Sequence, residues 1–396
     1  LPFHIEDLSQ LSRELQAEAL RERSDFWQAS LNLENGPLVR LVLFNLGDES
    51  RLLWCIHHLA VDGVSWRILI EDLQVAYHQA VAGQSITLPA KTSSFKVWAE
   101  RLVKWQESES FASLAEYWQT LPMATPIPID NPTGRNRFVD SQNYTIRFTA
   151  DTTQRLLTET PAAFRTQIND LLLTALMLAL RDWTEDICHL IDLESHGRTD
   201  VFTDINLSRT VGWFTSLHTI YLALPDSGNL GDCIHTIRKQ LRQIPHNGVG
   251  YGILRYLKGD VLPQGNILFN YLGQFDQSVQ DSLVSLAEES SGQCVSFKGE
   301  REYLIEINGQ TFKGELSLTF GYSTEQYKST TIQRLADNYQ RQLQRLIEYA
   351  QTRYQPQPDL STLLPLQSGG SCLPLFCLPG LGSKAGYFQQ LAISLG

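Results

Sequence analysis

The residues best suited to chemistry in this chain stand where apolar runs stop. The stretch CIHHLAVDGVSW, residues 55–66, ends one such run with His57 and His58 and places Asp62 four positions after the second imidazole. Imidazole titrates near neutral pH, so His58 can take or give a proton during a reaction; bonded to a backbone carbonyl it would serve structure instead. If RLLWCIH is a strand, successive side chains alternate faces, and His57 and His58 cannot share one cavity. Asp62 can hold a cation or pin the turn at Gly63, and either role orders the loop. A second run, CHLIDLESHGRTD, leaves Glu194 at its polar end. A carboxylate drawn into a cleft loses hydration, holds its proton more tightly and becomes a usable base. A surface ion pair with Arg198 is the structural alternative for Glu194.

The elements that must position these groups follow from periodicity. Residues 10–31 read as a polar helix, PLVRLVLFNL and RLLWCIHH as a hairpin joined by a Gly-Asp turn, and VSWRILIEDLQVAYHQAVAG as an amphipathic helix closed by Gly83. Helices around SSFKVWAERLVKWQ and SLAEYWQTL come next. Residues 122–139, rich in Pro, Asn and Gly, read as a linker. Beyond them come strand NYTIRFT, helices TTQRLLTE and NDLLLTALMLALRDW, and strand ICHLIDLE. Further strands are expected near 217–224, 266–272, 302–308 and 313–321, with a last helix near 330–350. Strands and helices mix in both halves, so the expected fold is α/β with two lobes of similar size. His58 and Glu194 then come from different lobes, and a channel between the lobes could hold a substrate with one group on each side. Gly248, Gly250 and Gly252 have neither the spacing nor the preceding strand of a dinucleotide-binding turn.

A length of 396 residues suggests two domains and part of a third, and 42% apolar residues suffice for packed cores. A formal charge of -11 without a Lys/Arg cluster argues against nucleic-acid binding. The cysteines Cys55, Cys188, Cys233, Cys294, Cys372 and Cys377 have no metal-ligand spacing and read as free, mostly buried thiols of a cytoplasmic protein. No run reaches membrane-spanning length. The opening LPFHIEDLSQ is no signal peptide, and the chain reads as an internal slice of something longer.

Several of these stretches together carry a resemblance. HHLAVDGVSWRIL (57–69) resembles the HHxxxDGxSW motif of epimerization domains of nonribosomal peptide synthetases, relatives of condensation domains. ESHGR (194–198) resembles that family's EGHGR, TVGWFTS (210–216) matches in full, and GVGYG, FNYLGQFD and KTSSFKVWAERL are similar to further family stretches. The resemblance covers about residues 1–355. It implies two chloramphenicol-acetyltransferase-like lobes in a V-shaped arrangement, residues 1–130 and 131–355, around a central tunnel, with only the first strand and helix of the domain lacking. It also implies inversion, L to D, of the α-carbon of an aminoacyl or peptidyl thioester on the phosphopantetheine of a partner carrier domain, with no cofactor or metal in the domain itself. His58 matches the family's catalytic His and Glu194 its catalytic carboxylate; Asp62 matches the motif acid, taken to be structural, as does Arg198, and Asn270 and Tyr271 match polar residues near the tunnel. Inversion needs proton removal on one face and delivery on the other, which opposed acid/base groups can do. The enolate-like intermediate needs an oxyanion donor, for which protonated His58, Asn270 or a backbone N–H are candidates, with Glu194 as base. His57 is then structural.

Three positions depart from the family pattern: Ser195 replaces a usual Gly, Thr199 an acid and His218 a Tyr. They leave open a non-catalytic carrier-docking module, and a condensation domain forming peptide bonds is the other alternative. A cofactor-dependent racemase finds no support in any motif. Residues 356–373 read as a linker, and PLFCLPGLGSKAGYFQQLAISLG (374–396) resembles the start of a type I thioesterase, an α/β-hydrolase whose nucleophile lies beyond this stretch. The implied partners are an upstream carrier domain and a downstream thioesterase.

Overall fold

A computed structural model describes residues 2–274 and 285–353. Residues 2–352 belong to one compact unit. The expected linker at 356–373 and the thioesterase-like stretch at 374–396 lie outside the described residues.

The first half builds a three-stranded sheet from β1 (Phe3–Asp7), β2 (Val39–Asn45) and β3 (Ser50–Ile56), with α1 (Arg13–Ala29) between β1 and β2. β2 and β3 form the expected antiparallel hairpin, and β1, which the sequence reading missed, runs parallel to β2. A 3-10 turn at His58–Ala60 leads into α2 (Gly63–Val81), followed by α3 (Phe95–Trp105) and α4 (Glu109–Gln119). Ser94 and Ser108 start these last two helices by accepting the N–H of Val97 and of Phe111, donors that the helix itself leaves unpaired.

The second half builds a six-stranded sheet in the order β4-β9-β8-β7-β5-β6. Its strands are β4 (Ser141–Arg147), β5 (Cys188–Ser195), β6 (Ser216–Ala223), β7 (Ile267–Gln274), β8 (Ile305–Phe312) and β9 (Glu315–Ser323). The helices are α5 (Ala150–Leu157), α6 (Glu159–Phe164), α7 (Ile168–Thr184), α8 (Leu230–Leu241), the single turn α9 (Val249–Gly252) and α10 (Ser329–Gln351). Every residue of α7 from Asp170 to Leu180 is buried, as expected for a helix that is apolar all round and covered on every side. It packs with α10 and the inward face of the sheet into the main core.

The fold is α/β with two sheets, but among the described residues the halves are unequal: three strands against six. α3 and α4 do not complete the small sheet. Trp98 of α3 packs with Leu207, Phe214 and Val249, and Phe111 and Trp118 of α4 pack with Tyr251 and Leu254. Large aromatic side chains on these helices bury most area where matching apolar surface exists, and residues 201–254 supply it. The stretch read as a linker at 122–139 is also anchored, since Ile127 is 5% exposed in the main core and Asn131 donates to the Glu325 carbonyl. α8 was likewise not anticipated from the sequence. Among the described cysteines Cys55 and Cys233 are buried and Cys294 is exposed. No helix among the described residues is long and apolar enough to cross a membrane.

Candidate active site

β3 stops at Ile56, so the pleat does not separate the two imidazoles as expected; the turn after it does. His57 sits before the 3-10 turn, and its Nδ1 accepts the Leu59 N–H at 3.2 Å, satisfying a donor the turn would leave free. His58 begins the turn and exposes its ring, which meets the Trp213 indole at 5.2 Å and 66°.

Asp62 then starts α2, accepting the Ser65 N–H at 2.7 Å. It pins the turn rather than holding a cation. Arg198 Nη2 lies 2.9 Å from Asp62 Oδ1, the two side chains being 8% and 3% exposed. Ser65 is the centre of this contact: its hydroxyl lies 2.7 Å from Asp62 Oδ1 and accepts from Arg198 and from the Gly212 N–H. The Phe214 N–H donates to Asp62 Oδ2, and the Arg198 guanidinium lies 4.1 Å over the Phe214 ring and donates to the Leu207 and Thr210 carbonyls. This sews α2 of the first half to residues 198–214 of the second. Gly197 makes the approach possible: at φ +62 a Cβ would stand 1.6 Å from the Phe214 carbonyl oxygen. Sequence reasoning did not single out Ser65, although an Asp followed three residues later by a small hydroxyl at a helix start is a readable capping pattern.

With Arg198 spent on Asp62, Glu194 is not its partner. Glu194 stands half-buried near the end of β5, and the Asn270 amide on neighbouring β7 donates to its Oε2 at 2.6 Å. Burial pushes its proton affinity up, the nearby His58 imidazole pulls it down, and the Glu306 carboxylate on β8 pushes it up again. The first of these effects prevails, so this carboxyl holds its proton more tightly than an ordinary glutamate. The His58 imidazole acts on this carboxyl through space, and no hydrogen bond joins the two among the described residues. Asp192, two residues earlier, anchors β5 by accepting from the Thr219 and Tyr303 hydroxyls and the Gly265 N–H.

One N–H of the Asn270 amide is thus spent on orienting Glu194, and its second N–H is still a donor. The Tyr271 phenol lies 3.0 Å from Thr311 Oγ1, and burial raises its pKa.

A cavity of about 830 Å³ opens here, lined by Asp62 and Arg67 from the first half and by Glu194, Asn270, Tyr271 and Asn247 among others from the second. The His58 and Trp213 rings do not line it.

The three departures from the family pattern have distinct fates. Ser195 Oγ donates to the Asn247 carbonyl at 2.9 Å, and His218 lines the cavity with its ring against Gly248, where a Cβ would stand 2.0 Å from Nδ1. Both therefore touch one turn, in which His246, Asn247 and Gly248 have φ of 41, 50 and 87. Burial drives the His218 pKa down to about 4, so this imidazole is neutral. The Thr199 hydroxyl is buried without a partner among the described residues.

The condensation-domain family model matches residues 1–361. Gramicidin S synthase 1 of Brevibacillus brevis is 40% identical over 88% of this chain and 33% of its own length. Tyrocidine synthase 2 of Brevibacillus parabrevis is 40% identical over 84% of this chain and 10% of its own length. The chain thus spans a minor part of the curated relatives it matches. Among solved structures, the epimerization domain from the third module of tyrocidine synthetase B superposes with a TM-score of 0.82 at 38% identity, covering 89% of this chain and 80% of that one.

Proposed function

Because the chain belongs to the condensation-domain family of nonribosomal peptide synthetases, whose members act on carrier-bound substrates without a cofactor of their own, we propose that it is an epimerization domain. In this reading it inverts the α-carbon of an aminoacyl or peptidyl thioester held on the phosphopantetheine of a carrier domain. The observation that carries the reading is the Glu194 carboxylate, partly desolvated in the cavity and oriented by Asn270, with the His58 imidazole of the other half within electrostatic reach. Peptide-bond formation has no use for such a carboxylate.

Asn270 occupies Oε2, which leaves Oε1 without a partner among the described residues and able to take the α-proton. Raised proton affinity brings the carboxylate closer to the basicity the step needs. His58, as imidazolium, delivers a proton from the opposite side, and its charge opposes the negative charge that builds on the thioester oxygen. The carboxylate and the imidazole exchange these roles for the reverse direction.

The test incubates the domain with a carrier loaded with an L-aminoacyl thioester in deuterated water, followed by chiral analysis and mass measurement. Deuterium at the α-carbon together with D product is the expected result, falling at least about 100-fold for Glu194→Gln and for His58→Ala. Amide formation with a second loaded carrier, unaffected by Glu194→Gln, would establish condensation instead. A folded domain that binds the carrier and does neither would be a docking module.

A further inference from the structure

We propose that Trp213 is a positioning residue that holds the His58 imidazole in its proton-delivering orientation. This rests on the epimerization reading, in which His58 hands over a proton. An acid/base histidine is ordinarily oriented by a hydrogen bond that its second ring N–H donates to a carboxylate or a carbonyl. Among the described residues His58 has no such bond. The ring contact it makes is with Trp213, at 5.2 Å and an interplanar angle of 66°, within the range of edge-to-face aromatic pairs.

The backbone on both sides of Trp213 is fastened to the segment that follows His58. The Gly212 N–H donates to Ser65 Oγ at 3.1 Å, and the Phe214 N–H donates to Asp62 Oδ2 at 3.2 Å. Phe214 is 5% exposed, with its ring in a T-shaped contact with Phe95 and the Arg198 guanidinium over it. The indole and the imidazole are thus carried on two segments joined immediately beside them, although they lie in different halves of the chain. Trp213 itself is 41% exposed, which is too open for a side chain whose task is to fill a core. A large rigid ring fixed at its base and free at its rim suits the steering of a neighbouring ring.

The chemistry separates this role from a general one. With His58 misaligned, Glu194 can still remove the α-proton and, after exchange with solvent, return deuterium to the same face. Exchange then survives while inversion fails. For Trp213→Ala, inversion in deuterated water is expected to fall about 10- to 100-fold, with KM for the loaded carrier unchanged and same-face exchange falling much less. Trp213→Phe restores most of the inversion. In NMR spectra of the whole chain, the His58 ring C–H signals shift in Trp213→Ala, because the indole ring current is lost, and move back only partly in Trp213→Phe.

Inversion at the wild-type rate in Trp213→Ala would overturn the proposal, as would an equal fall of inversion and exchange accompanied by a lowered melting temperature in both variants. If the unmodified domain neither exchanges nor inverts, the epimerization reading fails instead. The His58 signals then decide the contact alone, and their insensitivity to Trp213→Ala would refute it.

Discussion

Asp62 and Arg198 meet across the two halves of the chain, with Arg198 Nη2 2.9 Å from Asp62 Oδ1 and both side chains nearly dry. Removing either partner strands a charge away from water. Arg198→Met or Asp62→Asn should each lower the unfolding free energy by about 3–5 kcal/mol, read from urea titrations. The double variant should lose less than the sum, because the groups share one network through Ser65.

The acid limb of the rate profile should report Glu194. A base must be ionised, and burial of Glu194 places its pKa above the ordinary 4.5 of a glutamate, so activity should decay at a higher pH than that value. Asn270→Ala removes a donor to the ionised form, raises the pKa further and should move the limb upward. A rate profile of inversion between pH 4 and 8 checks both.

His218 makes the fold sensitive to acid. In the folded chain it stays neutral down to about pH 4, whereas in the unfolded chain it takes up a proton near 6.5. Between those values the unfolded chain binds more protons, so stability falls as pH falls. Melting temperatures from pH 7 to pH 4.5 should drop more steeply for the natural chain than for His218→Tyr, which has nothing to protonate there.

The turn at 246–248 predicts two unequal substitutions. Ser195→Gly releases the Asn247 carbonyl from one hydroxyl and should cost about 0.5–1.5 kcal/mol with little effect on turnover. Gly248→Ala demands a left-handed φ of 87 from a residue with a Cβ and drives that atom into the His218 ring, so it should cost several times more. Chemical denaturation of both variants, side by side, tests the ranking.

What could be read in advance was local. Apolar runs ending in His58 and Glu194 identified the acid/base candidates, and the period of 169–183 foretold a helix that proved buried on all sides. Partnerships across long separations were not legible, because tertiary packing alone sets them. Arg198 could equally have served Glu194, four residues away, and went instead to Asp62, 136 residues away. Pairing Ser195 with His218 was also out of reach, since they cooperate only through the turn at 246–248. Composition misled at 122–139, where Pro and Asn suggested a linker; the same residues bond to the 325 region and bury Ile127. Strand alternation misled at His57, because pleat logic ends where the strand does.

The left-handed triplet His246-Asn247-Gly248 brings Asn247 to the wall of the cavity. A backbone held in left-handed dihedrals tolerates few substitutions, whereas Leu173 and Leu241, which also line the cavity, can be trimmed or swapped. Widening the chamber would therefore proceed more readily from these positions on α7 and α8 than from the turn.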